Sequence, residues 1–170
     1  MNWDRYFYNI CVAVGMKSSC LSRQIGAILV RDKSIIATGF NGPPRGIPHC
    51  DDQLRRSHLV SIISTDNKHS IAILLDKGTC PRQIMGYKSG DGLEYCTAAH
   101  SERNCLINAA RLGVVTLDST LYLNASLPCK DCLIELINAG IREIVATSLV
   151  EYNDIQFLIK YSGIKLRVFD

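Results

Sequence analysis

No stretch of this 170-residue sequence approaches the roughly 20 consecutive apolar residues that a membrane-spanning helix requires, so no membrane partner is expected. Nor do the first residues, Met1-Asn2-Trp3-Asp4-Arg5-Tyr6, show the basic-then-apolar order of a secretory leader. Low-complexity tracts and long linkers are also missing, and a single domain over 1–170 is expected. Neither sign of charge dominates: the formal net charge of +3 suits an anionic small molecule as well as a nucleic acid. Aromatic residues make up 7% of the chain, a thin supply for stacking against the bases of a single strand. With 47% hydrophobic and 21% charged residues, the chain should nonetheless bury a substantial core.

Cysteine, by contrast, is abundant. There are eight: Cys11, Cys20, Cys50, Cys80, Cys96, Cys105, Cys129 and Cys132. In a secreted chain they would read as disulfides. Without a leader, and with a Cys-x-x-Cys following a His-x-Glu, metal binding in a reducing cytoplasm fits better (host cytoplasm, if the source is viral).

Residues 3–17 place Trp3, Tyr6, Phe7, Ile10 and Val14 at helical spacing. Strand-like runs at Ile25–Val30 and Ser34–Phe40 meet at Arg31-Asp32-Lys33, a hairpin. Asn41-Gly42-Pro43-Pro44-Arg45-Gly46 has loop composition. Residues 48–96 read as an irregular insert with one candidate helix around 57–75. Regularity returns with a helix over 101–112 stopped at Gly113 and a strand at 119–124. A helix over 130–139 ended by Gly140 leads to a strand at 141–146, and a helix over 153–161 ended by Gly163 leads to a strand at 164–168. Two successive helix–glycine–strand units predict parallel strands joined by crossover helices. The expected class is α/β: a five-stranded mixed sheet with helices on both faces.

The chemistry is carried by His100-Ser101-Glu102 and Pro128-Cys129-Lys130-Asp131-Cys132. One imidazole and two thiolates make three protein ligands for zinc and leave a fourth position for water, whereas a structural zinc would be closed by a fourth protein ligand. Glu102 is then free to move protons. His100 and Cys129 each precede a predicted helix, and the positive end of a helix favours the thiolate forms of Cys129 and Cys132. Zinc can lower the pKa of bound water from about 15.7 to roughly 7. Attack on C4 of a cytosine, with loss of ammonia, needs this set of groups and no organic cofactor. Each half of the motif is weak alone, since Cys-x-x-Cys also occurs in redox pairs and zinc knuckles. Together, in this order, they are the signature of zinc-dependent deaminases.

The chain resembles the cytidine deaminase superfamily over nearly its whole length and, within it, the deoxycytidylate (dCMP) deaminases, including those carried by bacteriophages. The likeness runs through Gln24-Ile25-Gly26-Ala27, Thr38-Gly39-Phe40-Asn41-Gly42-Pro43, His100-Ser101-Glu102-Arg103-Asn104, Leu127-Pro128-Cys129-Lys130-Asp131-Cys132 and Ala139-Gly140-Ile141. The resemblance implies a three-layer α/β/α fold. It implies that Asn41 meets the deoxyribose hydroxyl, that Glu102 shuttles protons, and that Arg23 and the loop from Gly42 neighbour the 5′-phosphate. It also implies a Ser101 backbone contact to the pyrimidine carbonyl and places Tyr152 near the base. Three departures stand out: Phe40 for the commoner tyrosine, Ser101 for the usual alanine, and Arg45 for a small residue.

Cys20, Cys50, Cys80 and Cys96 lie in or beside irregular segments that lack apolar content and need a staple. A second, structural zinc is therefore expected there. Cys20 and Cys50 match the extra zinc that the resemblance implies for some phage members, and Cys80 and Cys96 are assigned by their nearness to His100 in the chain. His49 is a rival ligand, and four unconnected buried cysteines are the bland alternative. Cys11 and Cys105 fall on helices and read as core.

The first functional reading is zinc-dependent hydrolysis of dCMP to dUMP, which would supply thymidylate synthesis. The resemblance adds a hexamer, dCTP with Mg2+ as activator and dTTP as inhibitor. Two alternatives are a tRNA or single-stranded DNA base deaminase and a non-catalytic zinc-stabilised binding module. Mild charge and few aromatics argue against a polynucleotide, and Glu102 argues against the binding module.

Overall fold

The computed structural model describes residues 1–63, 72–73, 75, 77–88, 90–149 and 155–170. In chain order the elements are α1 (Trp3–Gly15), β1 (Gly26–Arg31), β2 (Ser34–Phe40), α2 (Gln53–Ile62), the short α3 (Pro81–Ile84), a 3-10 turn (Leu93–Tyr95), α4 (Ser101–Arg111), β3 (Thr120–Leu123), α5 (Lys130–Asn138), β4 (Glu143–Ala146), α6 (Ile155–Ser162) and β5 (Lys165–Val168). The chain divides into two compact units. One comprises Met1–Ser18, Ile25–Asn41 and His100–Asp170; the other comprises Ser19–Gln24 and Gly42–Ala99.

The first unit holds a five-stranded sheet in the order β2-β1-β3-β4-β5. β1 runs antiparallel to β2 and β3, while β3, β4 and β5 are parallel. This is the expected mixed sheet. The hairpin joining β1 and β2 turns on Asp32 and Lys33, both at positive φ (50° and 60°), the mirror-type turn whose twist matches paired strands. The helix stops expected at Gly113, Gly140 and Gly163 all take left-handed backbone, with φ of 68°, 74° and 71°.

Strand alternation divides the core into two layers. On one face Ala27, Leu29, Leu121, Leu123, Ile144 and Ala146 pack with Cys105 and Ala109 of α4, Leu133 and Leu136 of α5, and Ile155 of α6. On the other, Ile28, Val30, Tyr122 and Val145 pack with Phe7 and Cys11 of α1. The sheet is thus covered on both faces, and Cys11 and Cys105 are core residues as expected. Burial pushes both of their thiols up to about 12.

The second unit has a smaller core of Leu59, Ile63 and Leu75, with Ile84, Met85 and Tyr95 packed against it. α2 starts earlier than the helix expected around 57–75 because Asp52 caps it, accepting from Leu54 N at 2.8 Å. Residues 64–71, in the second half of that expectation, lie outside the described residues.

Asp4, on the first turn of α1, is 7% exposed and receives both terminal nitrogens of Arg167 on β5. Arg167 Nε also donates to Glu143 at 3.1 Å, and the Asp170 amide donates to Asp4 at 3.3 Å. The hydrogen-bonded guanidinium holds the Asp4 carboxyl below its usual range. A lowered folded-state pKa gives stabilisation that is present above the unfolded value and lost as pH falls through the folded one. Asp4→Asn is expected to destabilise the protein by about 1–2 kcal/mol at pH 7. Denaturant titrations should show that difference shrinking once the pH drops below about 3.9.

Candidate active site

The position of α4 is set by how closely it lies on β2. A Cβ at Gly39 would fall 2.3 Å from Cys105 N and 2.5 Å from Ser101 O, so glycine alone permits the approach. One turn apart on α4, Asn104 and Asn108 donate from Nδ2 to the carbonyls of Phe40 (2.8 Å) and Thr38 (2.9 Å). These bonds occupy carbonyls of an edge strand and fix the start of the helix against it.

His100 is the N-cap of α4, and Cys129 is the N-cap of α5. Cys132 follows in the first turn of α5. His100 Nδ1 lies 3.5 Å from Cys129 Sγ and 3.4 Å from Cys132 Sγ. Among the described residues this is the one set of three such ligand atoms within 4.8 Å of one another. Cys132 is buried, while His100 is exposed. Hydrogen bonding by Cys132 and then by His100 pulls the Cys129 thiol down to about 3. The Cys132 thiol is pushed up, first by its bond to Cys129 and then by burial. His100 is raised, chiefly by its bond to Cys129. Hydrogen bonding thus favours the thiolate at Cys129, whereas the thiolate of Cys132 is disfavoured and a dication beside it would offset that cost. One nitrogen and two sulfurs at two helix starts match the donor preference of zinc.

Glu102 is 6% exposed and lies outside the ligand set. The Ser101 hydroxyl, itself fully buried, donates to Glu102 Oε2 at 2.8 Å. Arg103 forms a fork onto Glu135, with Nε to Oε2 at 3.0 Å and Nη2 to Oε1 at 2.8 Å. Arg103 stands three residues past His100 and Glu135 three past Cys132, so the pair ties the two ligand-bearing helices together one turn beyond the ligands. Sequence reasoning passed over both contacts. The matched offset of three residues was the only available signal for the second.

Asn41 is buried at the end of the first unit. Its Oδ1 accepts from Ile25 N at 2.8 Å, and its carbonyl accepts from Ser18 Oγ at 2.6 Å. Arg23, which is exposed, and Gly42 belong to the second unit, where Gly42 exchanges backbone hydrogen bonds with Ala99 at 3.1 and 2.8 Å. Tyr152 lies outside the described residues.

The second unit also holds Cys20, Cys50, Cys80 and Cys96. Cys50 is pushed up to about 11, first by burial and then by Cys96 and Cys80, with a smaller effect from Cys20. No three of these four sulfurs meet the 4.8 Å spacing of the first site. His49, 4% exposed, has Nδ1 3.0 Å from Ser19 O. Its buried Nε2 has no hydrogen-bond partner among the described residues. Arg55 and Arg56 donate to the carbonyls of Tyr95 (2.9 Å) and Cys50 (3.1 Å).

The family described as the cytidine and deoxycytidylate deaminase zinc-binding region matches residues 1–148. The deoxycytidylate deaminase of Schizosaccharomyces pombe is 30% identical over 169 residues, 99% of this chain but 44% of that protein. The chain thus spans less than half the length of this fungal relative. The deoxycytidylate deaminase of Mycobacterium phage D29 is 28% identical over 149 residues, 85% of this chain and 93% of that one. The dCMP deaminase of cyanophage S-TIM5 in its apo form shares the fold, with a TM-score of 0.63 at 19% identity over 97% of this chain and 95% of that one. That phage protein has also been solved with dCMP and dUMP.

The Arg103–Glu135 fork is about two-fifths exposed (39% and 41%), so its contribution to folding stability is small. Its effect should appear at the ligands. Glu135→Gln is expected to leave the melting temperature nearly unchanged and to weaken zinc binding by roughly tenfold, as measured by competition with a chromophoric chelator.

Proposed function

The chain belongs to the cytidine and deoxycytidylate deaminase zinc-binding family, and on that premise we propose that it catalyses hydrolytic deamination of dCMP. Water adds its oxygen at C4 of the base, the exocyclic amine leaves as ammonia, and dUMP remains. The observation that carries the reading is a three-ligand metal set with a buried, non-ligating carboxylate two residues from its histidine. The choice of dCMP over other cytosine compounds is supported by the names of the fungal and phage relatives and by the nucleotides bound to the S-TIM5 protein.

His100, Cys129 and Cys132 would hold the zinc, which supplies the Lewis acidity that lets water act as a nucleophile near neutral pH. Glu102 accepts one proton of the attacking water and returns it to ring nitrogen N3; it then takes the proton of the new C4 hydroxyl and passes it to the amine, which leaves as ammonia as the C4 carbonyl forms. Its low exposure keeps bulk water from competing for that proton. The Ser101 backbone N–H orients the pyrimidine carbonyl and Asn41 the deoxyribose hydroxyl. Arg23 and the Gly42 loop serve the 5′-phosphate and Tyr152 the base. A metal-binding role for the cysteines fits a reducing cytoplasm, where the enzyme would act. The regulatory features that the resemblance implies belong to the same reading: a hexamer, activation by dCTP with Mg2+, and inhibition by dTTP.

The reading includes a second metal that staples the insert at 48–96 within one catalytic domain over 1–170. Cys20, Cys50, Cys80 and Cys96 are its ligands, with His49 the rival for the fourth position. It is supported by the influence of Cys96, Cys80 and Cys20 on the Cys50 thiol and by the buried His49 Nε2, which has no hydrogen-bond partner among the described residues while the other ring nitrogen is held by a carbonyl.

Incubating zinc-loaded protein with dCMP, dCTP, deoxycytidine and a cytosine-containing oligonucleotide, with and without dCTP and Mg2+ as effectors, tests the function. Ammonia and dUMP should form from dCMP; turnover confined to the oligonucleotide would overturn the choice of substrate. Glu102→Ala should retain zinc and lose at least about a hundredfold in kcat. Metal analysis should find two zinc ions per chain, and a single zinc with four freely titratable thiols would remove the second site.

A further inference from the structure

We infer that the Ser101 side chain, beyond any role of its backbone, is a positioning residue that holds the Glu102 carboxylate in its proton-transferring orientation. The inference rests on the deaminase reading of Glu102. A buried hydroxyl without a partner is costly, so a serine in place of a methyl at this point must find an acceptor. Serine within a helix commonly bonds a carbonyl of the preceding turn. Ser101 is the first residue of α4 and has no preceding helical turn to bond. Its acceptor is Glu102 Oε2, at 2.8 Å, with both side chains withdrawn from solvent.

The bond leaves the carboxylate able to react. A carboxylate offers about four lone-pair sites, and Ser101 occupies one. The others remain for the attacking water and the ring nitrogen. What the bond removes is freedom. A glutamate side chain has several rotatable bonds, and a transferring group held near its working orientation lowers the barrier to the chemical step. Substrate affinity is set by other contacts. A group of this kind therefore acts on kcat and leaves KM alone.

The resemblance carries alanine at this position, so Ser101→Ala preserves the helix and the packing and deletes only the hydroxyl. With dCMP as substrate, its kcat should fall about tenfold, the scale of one hydrogen bond to a charged group, while KM, zinc content and melting temperature stay unchanged. Ser101→Cys, whose thiol is a weak donor, should fall between wild type and alanine. A crystal structure of zinc-loaded Ser101→Ala without substrate should show Glu102 in more than one conformer, against one in the wild type. The inference is overturned if kcat stays within about twofold of wild type, if the loss appears in KM, or if zinc or thermal stability is lost with it. Absence of dCMP turnover by the wild type would sink the deaminase reading instead, and the Glu102 conformers would then decide the role of Ser101 by themselves.

Discussion

Two sulfurs and an imidazole nitrogen, held within 4.8 Å of one another at the starts of two helices, set a charge problem for the rest of the molecule. Without a cation the two sulfurs are pulled in opposite directions: hydrogen bonds from Cys132 and His100 lower the Cys129 thiol, while the bond to Cys129 and burial raise that of Cys132. A dication removes the conflict by accepting both as thiolates. The helix dipoles alone are too weak to do so, since each contributes only about 0.3–2 kcal/mol and screening reduces that further. The site is therefore built to be completed by a metal. Its precision depends on how exactly the two helix starts are placed.

That placement comes from ordinary packing. Gly39 lets α4 lie against β2, and Asn104 and Asn108 lock the register by bonding the carbonyls of Phe40 and Thr38. On α5, Leu133 and Leu136 enter the same core layer as Leu29 and Leu121. The Arg103–Glu135 fork then joins the two helices directly beyond the ligands. Ligand geometry is thus fixed by a sheet core, by two asparagines and by one ion pair. The metal needs to order little on arrival.

Much of this was legible in the chain. The His-x-Glu and Cys-x-x-Cys elements carry their own chemistry, and helix–glycine–strand punctuation gave both parallel crossovers. The residues that escaped are those whose partners lie far away in sequence. Asp4 and Arg167 are 163 positions apart, and no local periodicity connects them. The start of α2 escaped for a different reason. Its first turn, Gln53-Leu54-Arg55-Arg56, is mostly polar, so a search on apolar spacing began at Ser57 and overlooked Asp52 as the cap. The hydroxyl of Ser101 was visible only as a departure from alanine. What it does depends on a side-chain direction that spacing does not encode.

The two units differ in what holds them, and that difference divides their roles. In the first, two layers of buried side chains on a sheet fix His100, Glu102, Cys129 and Cys132 on regular elements. Groups that must be placed to fractions of an ångström belong on such elements. The hydrophobic cluster of the second unit is limited, among the described residues, to Leu59, Ile63 and Leu75, with its backbone in short helices and loops. A core that small gives little stability by itself. Asn41 stands at the boundary between them in the chain. It is tied down through its side chain, its amide and its carbonyl to Ile25 and Ser18. A residue held at three points keeps a single fixed orientation, which an adaptable loop does not offer.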